Sequence, residues 1–584
     1  MGREVATFSK SLRALSHMKN KRSLLFLASA CLPACLPLVA SAQINFLHGV
    51  TLPAGGEILS YSNGKIMTTN SASGVNHAIQ IYSLTASGML TSDLSVDLAS
   101  TFGGAANIAA VSSVLSDARG FGVATVIPTA NGLGNLGRIS IFDTASGAIL
   151  KTLDVGYHPD SVTITPDGSK LLITNEGEFV TTAAEGTFAR PGSISVVDIA
   201  GTTAGNYAGN IGALNLANVG TFDFGAANLG AGVNLTGIRD NTFSANNATT
   251  TALSANIEPE YITASNSKVY ITLQENNAVA TFDLATGKYE KITSLGSITK
   301  TIDASDRDGA GGTASIGIND IVKGLPMPDT LTQFTRSGTT YLVTANEGDA
   351  RTDDGDISRA SVSALVDTTN NGGGDLFYSG TVGNTDIGRL NILKDQGNLD
   401  GDAGIEDPTM MGTRSFSIWD AATHTLVFDS GSMIEQYVAS NDPTTFNING
   451  GLLSNFDTRS DDKGPEPEAL AFGSVAGRDY VFVGAERQNG IFQFDITDLN
   501  NVSITNYFNT VSNATDSGGA FISPESMLFL EAANNPSGRN LLVVGFEGTG
   551  TNGSIGVFEV IPEPSSAMLA GLGALLAFRR RRNA

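Results

Sequence analysis

Residues 460–496, SDDKGPEPEALAFGSVAGRDYVFVGAERQNGIFQFDI, contain the unit that the rest of the chain repeats. Pro467 and Glu468 lead into a short apolar run (469–472), and a Gly-containing turn (473–478) leads to a second (480–484). Glu486 follows, then a polar turn (487–490) and a third, alternating run (491–496) that carries Asp495. Three short runs rich in Val, Phe and Tyr, separated by Gly turns, predict antiparallel strands. A three-stranded sheet of this kind cannot bury both faces by itself.

The same unit recurs. Asp160 opens PDSVTITPDGSKLLITNEGE, Glu260 opens PEYITASNSKVYITLQENNAVATFDL, Asp329 opens PDTLTQFTRSGTTYLVTANEGD, and Glu525 opens PESMLFLEAANNPSGRNLLVVGFEG. Two weaker copies lie upstream, EILSYSNGKIMTTN from Glu57 and NIAAVSSVLSDARGFGVATV from Asn107. Seven such sheets close into a ring, which predicts an all-β fold, a seven-bladed β-propeller. Blade one takes residues 57–84, blade two 107–143 and blade three 160–198. The orphan run INFLHGV (44–50) is expected to close the ring by pairing with the last blade beside 554–560. Two stretches, about 200–255 and 350–460, interrupt the rhythm and read as long loop insertions. Within the second, RSFSIWD (414–420) and LVFDSG (426–431) are strand-like and supply outer strands of the fifth or sixth blade, with Trp419 in a packing role.

The two ends carry addresses. Lys19, Lys21 and Arg22 precede an apolar run (23–39), and Ala40-Ser41-Ala42 offers a signal-peptidase site, so residues 1–42 read as a signal peptide. Leu32-Pro33-Ala34-Cys35 offers a rival, lipobox-like cut. Both cysteines, Cys31 and Cys35, lie in the leader, so cleavage after Ala42 leaves a chain without disulfides or thiolate metal sites. Residues 43–561 then carry a net charge of about −31, which repels nucleic acid and anionic lipid and attracts cations. At the other end, Pro562, Glu563 and Pro564 precede a small, apolar run (565–578) and then Arg579, Arg580, Arg581 and Arg582. This tripartite segment, 562–584, resembles the PEP-CTERM sorting signal of Gram-negative bacteria. The resemblance implies export through the inner membrane, a transient membrane helix there, and processing by an exosortase that delivers the protein to the cell surface or extracellular matrix.

NEGDAR (346–351), RSFSIWD, RSDDKGPEPEAL (459–470) and GAERQNGIFQFDI (484–496) are similar to the choice-of-anchor I family, over about residues 44–561. That family is related to the mesenchyme-specific cell surface glycoprotein group, some of whose members carry alkaline-phosphatase labels. The resemblance implies a propeller displayed by whichever anchor the host uses. It implies little about chemistry, because one fold hosts many functions. The last unit departs from the pattern with GFEGTG, which puts a site role for Glu547 in doubt.

A hairpin returns its ends to one sheet edge, so the acid opening strand one should meet the acid closing strand two. This pairs Asp160 with Glu176, Glu260 with Glu275, Asp329 with Glu347, Glu468 with Glu486, and Glu525 with Glu547. The separations of 16, 15, 18, 18 and 22 residues differ only in the turn. First strands line a propeller's channel, so these carboxylates converge on one mouth. There they raise one another's pKa unless cations compensate. Arg351 and Arg487 are the candidate counter-charges. Many hard oxygen ligands favour Ca²⁺ as the possible cofactor. The bland alternative is that Pro-Asp/Glu merely starts a strand.

Two other acidic runs, Asp303 to Asp308 and Asn398 to Asp402, lack a complete EF-hand loop and read as solvated turns. After the leader only His48, His77, His158 and His424 remain, without zinc-site spacing, and neither a G-x-S-x-G elbow nor a Walker loop is present. No nucleotide cofactor is expected. The chain reads as a non-catalytic, surface-displayed propeller binding an extracellular polysaccharide or surface protein. The alternative is a Ca²⁺-dependent phosphoesterase of the alkaline-phosphatase or phytase-like propeller kind, with ions at the mouth clamping a phosphate.

Overall fold

The computed structural model describes residues 43–561, apart from 54, 71–76, 130–134, 178–179, 183–185, 189, 241–252, 351–356, 360–381, 399–404, 514–520 and 549–551. The expected leader, the sorting segment with Pro562, Glu563, Pro564 and Arg579 to Arg582, and the candidate counter-charge Arg351 lie outside the described residues. Among the described residues no helix is long and apolar enough to cross a membrane; the membrane helix expected in 562–584 lies outside them.

The unit at 467–495 folds as read. Pro467–Val475, Arg478–Ala485 and Gly490–Asp495 pair antiparallel in that order. Ala476 and Gly477 turn the first hairpin with φ of 52° and 81°, the two positive values of a tight turn that matches strand twist. Asn63-Gly64 and Ser337-Gly338 make the same turn in other blades. A fourth strand, Ser503–Asn509, completes the sheet.

Each of the other units is likewise four-stranded. Blade one is Leu59–Ser62, Lys65–Asn70, Ala78–Leu84 and Leu90–Asp97. Blade two is Val114–Ser116, Phe121–Pro128, Arg138–Asp143 and Ile149–Asp154, with Ile108–Ala110 added beside Phe121–Pro128. Blade three is Pro159–Ile164, Lys170–Asn175, Ser193–Asp198 and Val219–Asp223, and blade four runs from Pro259–Ala264 to Lys288–Ser294. Blade five is Leu331–Arg336, Thr339–Asn346, Ser415–Asp420 and Leu426–Asp429. Blade seven is Pro524–Leu530, Leu541–Phe546 and Ser554–Ile561, closed on its outer edge by Gln43–Thr51. That closing strand runs antiparallel from Gln43↔Ile561 to Thr51↔Ser554 with one bulge after Phe46. The first strands touch one another in sequence around the axis, and Pro524–Leu530 meets Leu59–Ser62.

Apolar side chains fill the gaps between blades, as the alternating pattern requires. Blades one and two share Ile79, Val96, Val114 and Phe142; blades seven and one share Leu59, Ile66, Val543 and Val557. Blades six and seven share Phe482, Tyr480, Phe546 and Phe558. Fully burying one such side chain contributes about 1.5–3 kcal/mol, so the stability of the ring is spread over its interfaces. Trp419 packs between blades four and five and donates its indole N–H to Thr344 Oγ1 at 2.9 Å.

The insertions are more structured than their sequence suggests. Residues 200–255 do not form a plain loop: they supply the helix Tyr207–Ala213 and the outer strand of blade three. Ile211 and Phe224, isolated among Gly and Asn, each reach a neighbouring core cluster. Residues 350–460 hold two strands of blade five, the helix Met433–Asn441 and the short strand Thr409–Met411, which pairs parallel with Asp320–Leu325. They also bury a satellite core of Ile387, Leu390, Ile392 and Met410 against Ile302 and Val322.

Candidate metal centre at the channel mouth

The inner strands of blades three, four, six and seven start on a recurring device. A ladder irregularity follows the proline in Pro159/Val162, Pro259/Ile262, Pro467/Ala469 and Pro524/Ser526, so the acidic residue falls at a bulge. Proline has no N–H to give the ladder, and a bulge re-aims the side chain beside it. The residue ahead of the proline is left-handed in four blades: His158 (φ 48°), Met327 (42°), Glu466 (53°) and Ser523 (57°). Such values are uncommon for non-glycine residues and persist only where surrounding bonds hold them. Here those bonds come from the end of strand two. Glu176, Glu486 and Glu547 donate their backbone N–H to the carbonyls of His158, Glu466 and Ser523, and Gly348 donates to Met327. Each pre-proline hook thereby fastens the two acidic ends of its hairpin together. Gly348 (φ 79°) also lies so close to Gly412 that a Cβ would stand 2.0 Å from the Gly412 nitrogen, which explains the glycine in NEGDAR.

A cavity of about 520 Å³ opens on this end of the channel. Seven of the nine expected ligands line it: Asp160, Glu260, Asp329, Glu347, Glu468, Glu486 and Glu525. Glu176 and Glu275 do not line it. Glu176 turns to His158 Nδ1 at 2.8 Å, and Glu275 is buried at the edge of blade four, where its backbone carbonyl accepts from Arg239. Glu57, which was not among the expected ligands, and Glu547, whose site role the GFEGTG departure put in doubt, do line the cavity, as does Asp349. Blade two contributes only Ala109, Ala110, Val111 and Ser112, a neutral gap in an otherwise acidic rim.

Six carboxylates draw together on blades five to seven. Asp329, Glu347 and Glu468 bring one oxygen each within 4.8 Å of one another, as do Glu347, Glu466 and Glu486, and Glu468, Glu486 and Glu525. Glu468 and Glu525 share a hydrogen bond that only a protonated carboxyl can donate. Burial raises the carboxyls of Glu260, Asp329, Glu468 and Glu486 well above the usual range, and neighbouring carboxylates add to it. Glu57 and Asp160 are pushed up to about 7, first by burial and then by Glu547 and Glu176 respectively. Glu525 rises to about 8, again mainly by burial.

The compensating cations come from the RSDDKGPEPEAL stretch, which sequence reasoning missed apart from Arg487 just beyond it. Lys463 contacts Glu347 and lies 3.0 Å from Glu466; Arg459 also contacts Glu466. Arg487 reaches Glu486 at 2.8 Å and Glu466 at 3.6 Å. Buried Glu466 is consequently held below the usual carboxylate value by these three cations, despite its burial. Behind the mouth, buried Arg414 donates to Glu435 and to the carbonyls of Asp303, Ser460 and Asp462. Asp461 accepts from Arg389 at 2.6 Å. The stretch is a strut that carries Lys463 to the carboxylates. The run at Asp303 is not a solvated turn: Asp303 is buried and accepts from the Gly317 N–H at 2.6 Å, while Asp306 pairs with Arg389. Asp400 and Asp402 lie outside the described residues.

A pH dependence follows. Glu57, Asp160 and Glu525 hold protons in the folded state up to about pH 7, 7 and 8, whereas the unfolded chain releases them near 4. Over that interval the folded state binds more protons, so its stability falls as pH rises. With a chelator present, the melting temperature is expected to decline between pH 5 and 8; a rise across that window would contradict the raised values.

A family model described as the choice-of-anchor I domain matches residues 57–499, a narrower span than 44–561. The chain belongs to the choice-of-anchor I family. A second model, the PEP-CTERM protein-sorting motif, matches residues 560–582, which marks this choice-of-anchor I protein for exosortase-type sorting, export and cell-surface anchoring in a Gram-negative bacterium. Among curated proteins, Gigasin-3a of Magallana gigas is 33% identical over 178 residues, covering 28% of this chain and 62% of that protein. The mesenchyme-specific cell surface glycoprotein of Strongylocentrotus purpuratus is 26% identical over 227 residues, covering 32% of this chain and 28% of that protein. The chain thus spans less than two thirds of either relative. Among solved structures, the β-propeller domain of Myceliophteria thermophila Cps50 (Swd1) aligns over 88% of this chain and 99% of its own, at 9% identity and a TM-score of 0.40. The hydrazine synthase of Kuenenia stuttgartiensis aligns over 87% and 96%, at 10% identity and 0.42.

Proposed function

We propose that this choice-of-anchor I propeller is a binding protein of the cell surface or matrix, without catalysis, and that Ca²⁺ at the acidic mouth organises its ligand site. The observation that carries the reading is the convergence of Asp329, Glu347 and Glu468, one oxygen of each within 4.8 Å of the others, on strand ends fastened by the pre-proline hooks. Carboxylate oxygens without histidine or cysteine suit a hard cation, and a site built of several carboxylates suits the flexible, many-oxygen coordination of Ca²⁺ better than the strict octahedron of Mg²⁺. A hydroxyl-rich polysaccharide or a carboxylate-bearing surface protein completes the shell of such an ion from the open side of the cavity. The sea urchin relative is by name a cell-surface glycoprotein, which fits the same setting.

The test is thermal. A cation that binds only the folded state stabilises it by RT ln(1 + [L]/Kd), about 2.7 kcal/mol at a hundredfold excess over Kd. Chelation is expected to lower the melting temperature and millimolar Ca²⁺ to restore it further than equal Mg²⁺. Replacing Glu468 and Glu486 together by Gln should blunt the response, whereas replacing Asp400 and Asp402 should not. Sodium chloride at matched ionic strength controls for general screening of an acidic protein. A melting curve indifferent to chelator, or restored equally by sodium chloride, overturns the reading.

A further inference from the structure

The three carboxylate triads of the mouth are not equivalent. The middle one, Glu347–Glu466–Glu486, already holds a cation: Lys463 Nζ contacts Glu347 and stands 3.0 Å from Glu466, with Arg487 beside Glu486. The flanking triads, Asp329–Glu347–Glu468 and Glu468–Glu486–Glu525, have Glu468 as their one common member. On the Asp329 side the wall is short of partners. Asp329 is nine-tenths buried, and among the described residues its carboxylate accepts only a 3.4 Å contact from its neighbour Thr330. Glu260 is 8% exposed and lines the same cavity, and its carboxylate has no hydrogen-bond or cationic partner among the described residues. Buried carboxylates left in that condition are costly unless a proton or a cation completes them, and a cation can take the proton's place.

We propose that the mouth holds two hard divalent cations bridged by Glu468, and that the Lys463 ammonium occupies the place a third would take. The inference rests on the reading that the mouth binds divalent cations, and it adds their number, their shared ligand and the role of Lys463. An ammonium supplies one fixed positive charge that no chelator removes, so it keeps the central triad together while the flanking positions fill and empty. Two cations joined by one carboxylate stand about 4 Å apart, a spacing that lets one anionic or hydroxyl-rich group of a ligand touch both.

Native mass spectrometry of the exported, purified protein titrated with Ca²⁺ counts the ions, and Tb³⁺-to-Eu³⁺ energy transfer in the same protein reads whether two sites are adjacent. Two ions with efficient transfer are expected. Asp329→Asn and Glu525→Gln should each remove a different single ion, Glu468→Gln should weaken both by tenfold or more, and Lys463→Met should admit a third. One ion in the wild-type protein, lost equally in Asp329→Asn and Glu525→Gln, overturns the pair but leaves the single-cation reading standing. No bound ion overturns both. A count that stays at two in Lys463→Met overturns the role given to the lysine. The wild-type count and transfer decide the pair even where a variant does not fold.

Discussion

Without the strand Gln43–Thr51, the exported protein is expected to lose roughly 5–8 kcal/mol of stability and to self-associate. The strand is the outer edge of blade seven, joined to Ser554–Ile561 along its whole length. Ile44 is fully buried in the cluster between blades six and seven, and Phe46 packs edge-on against Phe558 and Phe521, with ring centroids 5.4 and 5.8 Å apart. Leu47 and Val50 cover the cluster between blades seven and one. At about 1.5–3 kcal/mol per fully buried side chain, discounted because three of the four are only partly covered, their loss gives the quoted range. Removing the strand also bares Ser554–Ile561 as an unpaired edge, a template for pairing with another copy. Urea denaturation measures the loss and size-exclusion chromatography the association, and a peptide of sequence QINFLHGVT should reverse both. An unchanged denaturation midpoint would refute the role of the strand in closing the ring.

Arg414→Met is expected to cost about 3–5 kcal/mol, the range for breaking a buried ion pair from one side. Arg414 is 1% exposed, and its guanidinium donates to Glu435 at 2.8 Å and to three backbone carbonyls at 2.7 Å. Two of those carbonyls, of Ser460 and Asp462, belong to the strut that delivers Lys463. Gly464 lies against the arginine so closely that a Cβ would meet its Cδ at 2.7 Å. The substitution therefore strands a buried Glu435 and frees the strut together. Arg414→Lys should not rescue it, because a lysine cannot span four acceptors in a planar fork. Adding Glu435→Leu should recover part of the loss by removing the stranded charge. Chemical denaturation of the three variants checks the order; a loss below 1 kcal/mol for Arg414→Met would show that water reaches these groups.

The repeat made much of the fold readable. Pro-acid, apolar run, Gly turn and second apolar run repeat with enough regularity to place the inner hairpins, and the orphan run 44–50 found its partner at 554–561. Outer strands were read only at 426–431 and 44–50, and those of blades one and two were not. Leu90–Asp97 and Ile149–Asp154 alternate weakly because their outer faces meet water, so LTSDLSVD and ILKTLD resemble surface sequence. Ile211 and Phe224 likewise give no periodic signal, since each is buried by a distant neighbour rather than by its own segment.

By itself the sequence determined that acidic residues bracket each inner hairpin, because a hairpin returns its two ends to one edge whatever surrounds it. That geometry is local, and it held for Asp329 with Glu347 and for Glu468 with Glu486. Which acids share a site depended on tertiary structure. His158 draws Glu176 out of the cavity, blade two presents only small neutral residues, Glu57 enters from a blade whose motif was weak, and Glu547 from a blade whose motif departs at GFEGTG. Lys463 and Glu466 lie in a segment with no regular period, and Arg414, a buried residue distant in sequence, aims it at the mouth. Charge compensation between blades works across space, over separations of more than a hundred residues, where the spacing of residues along the chain carries no information about distance.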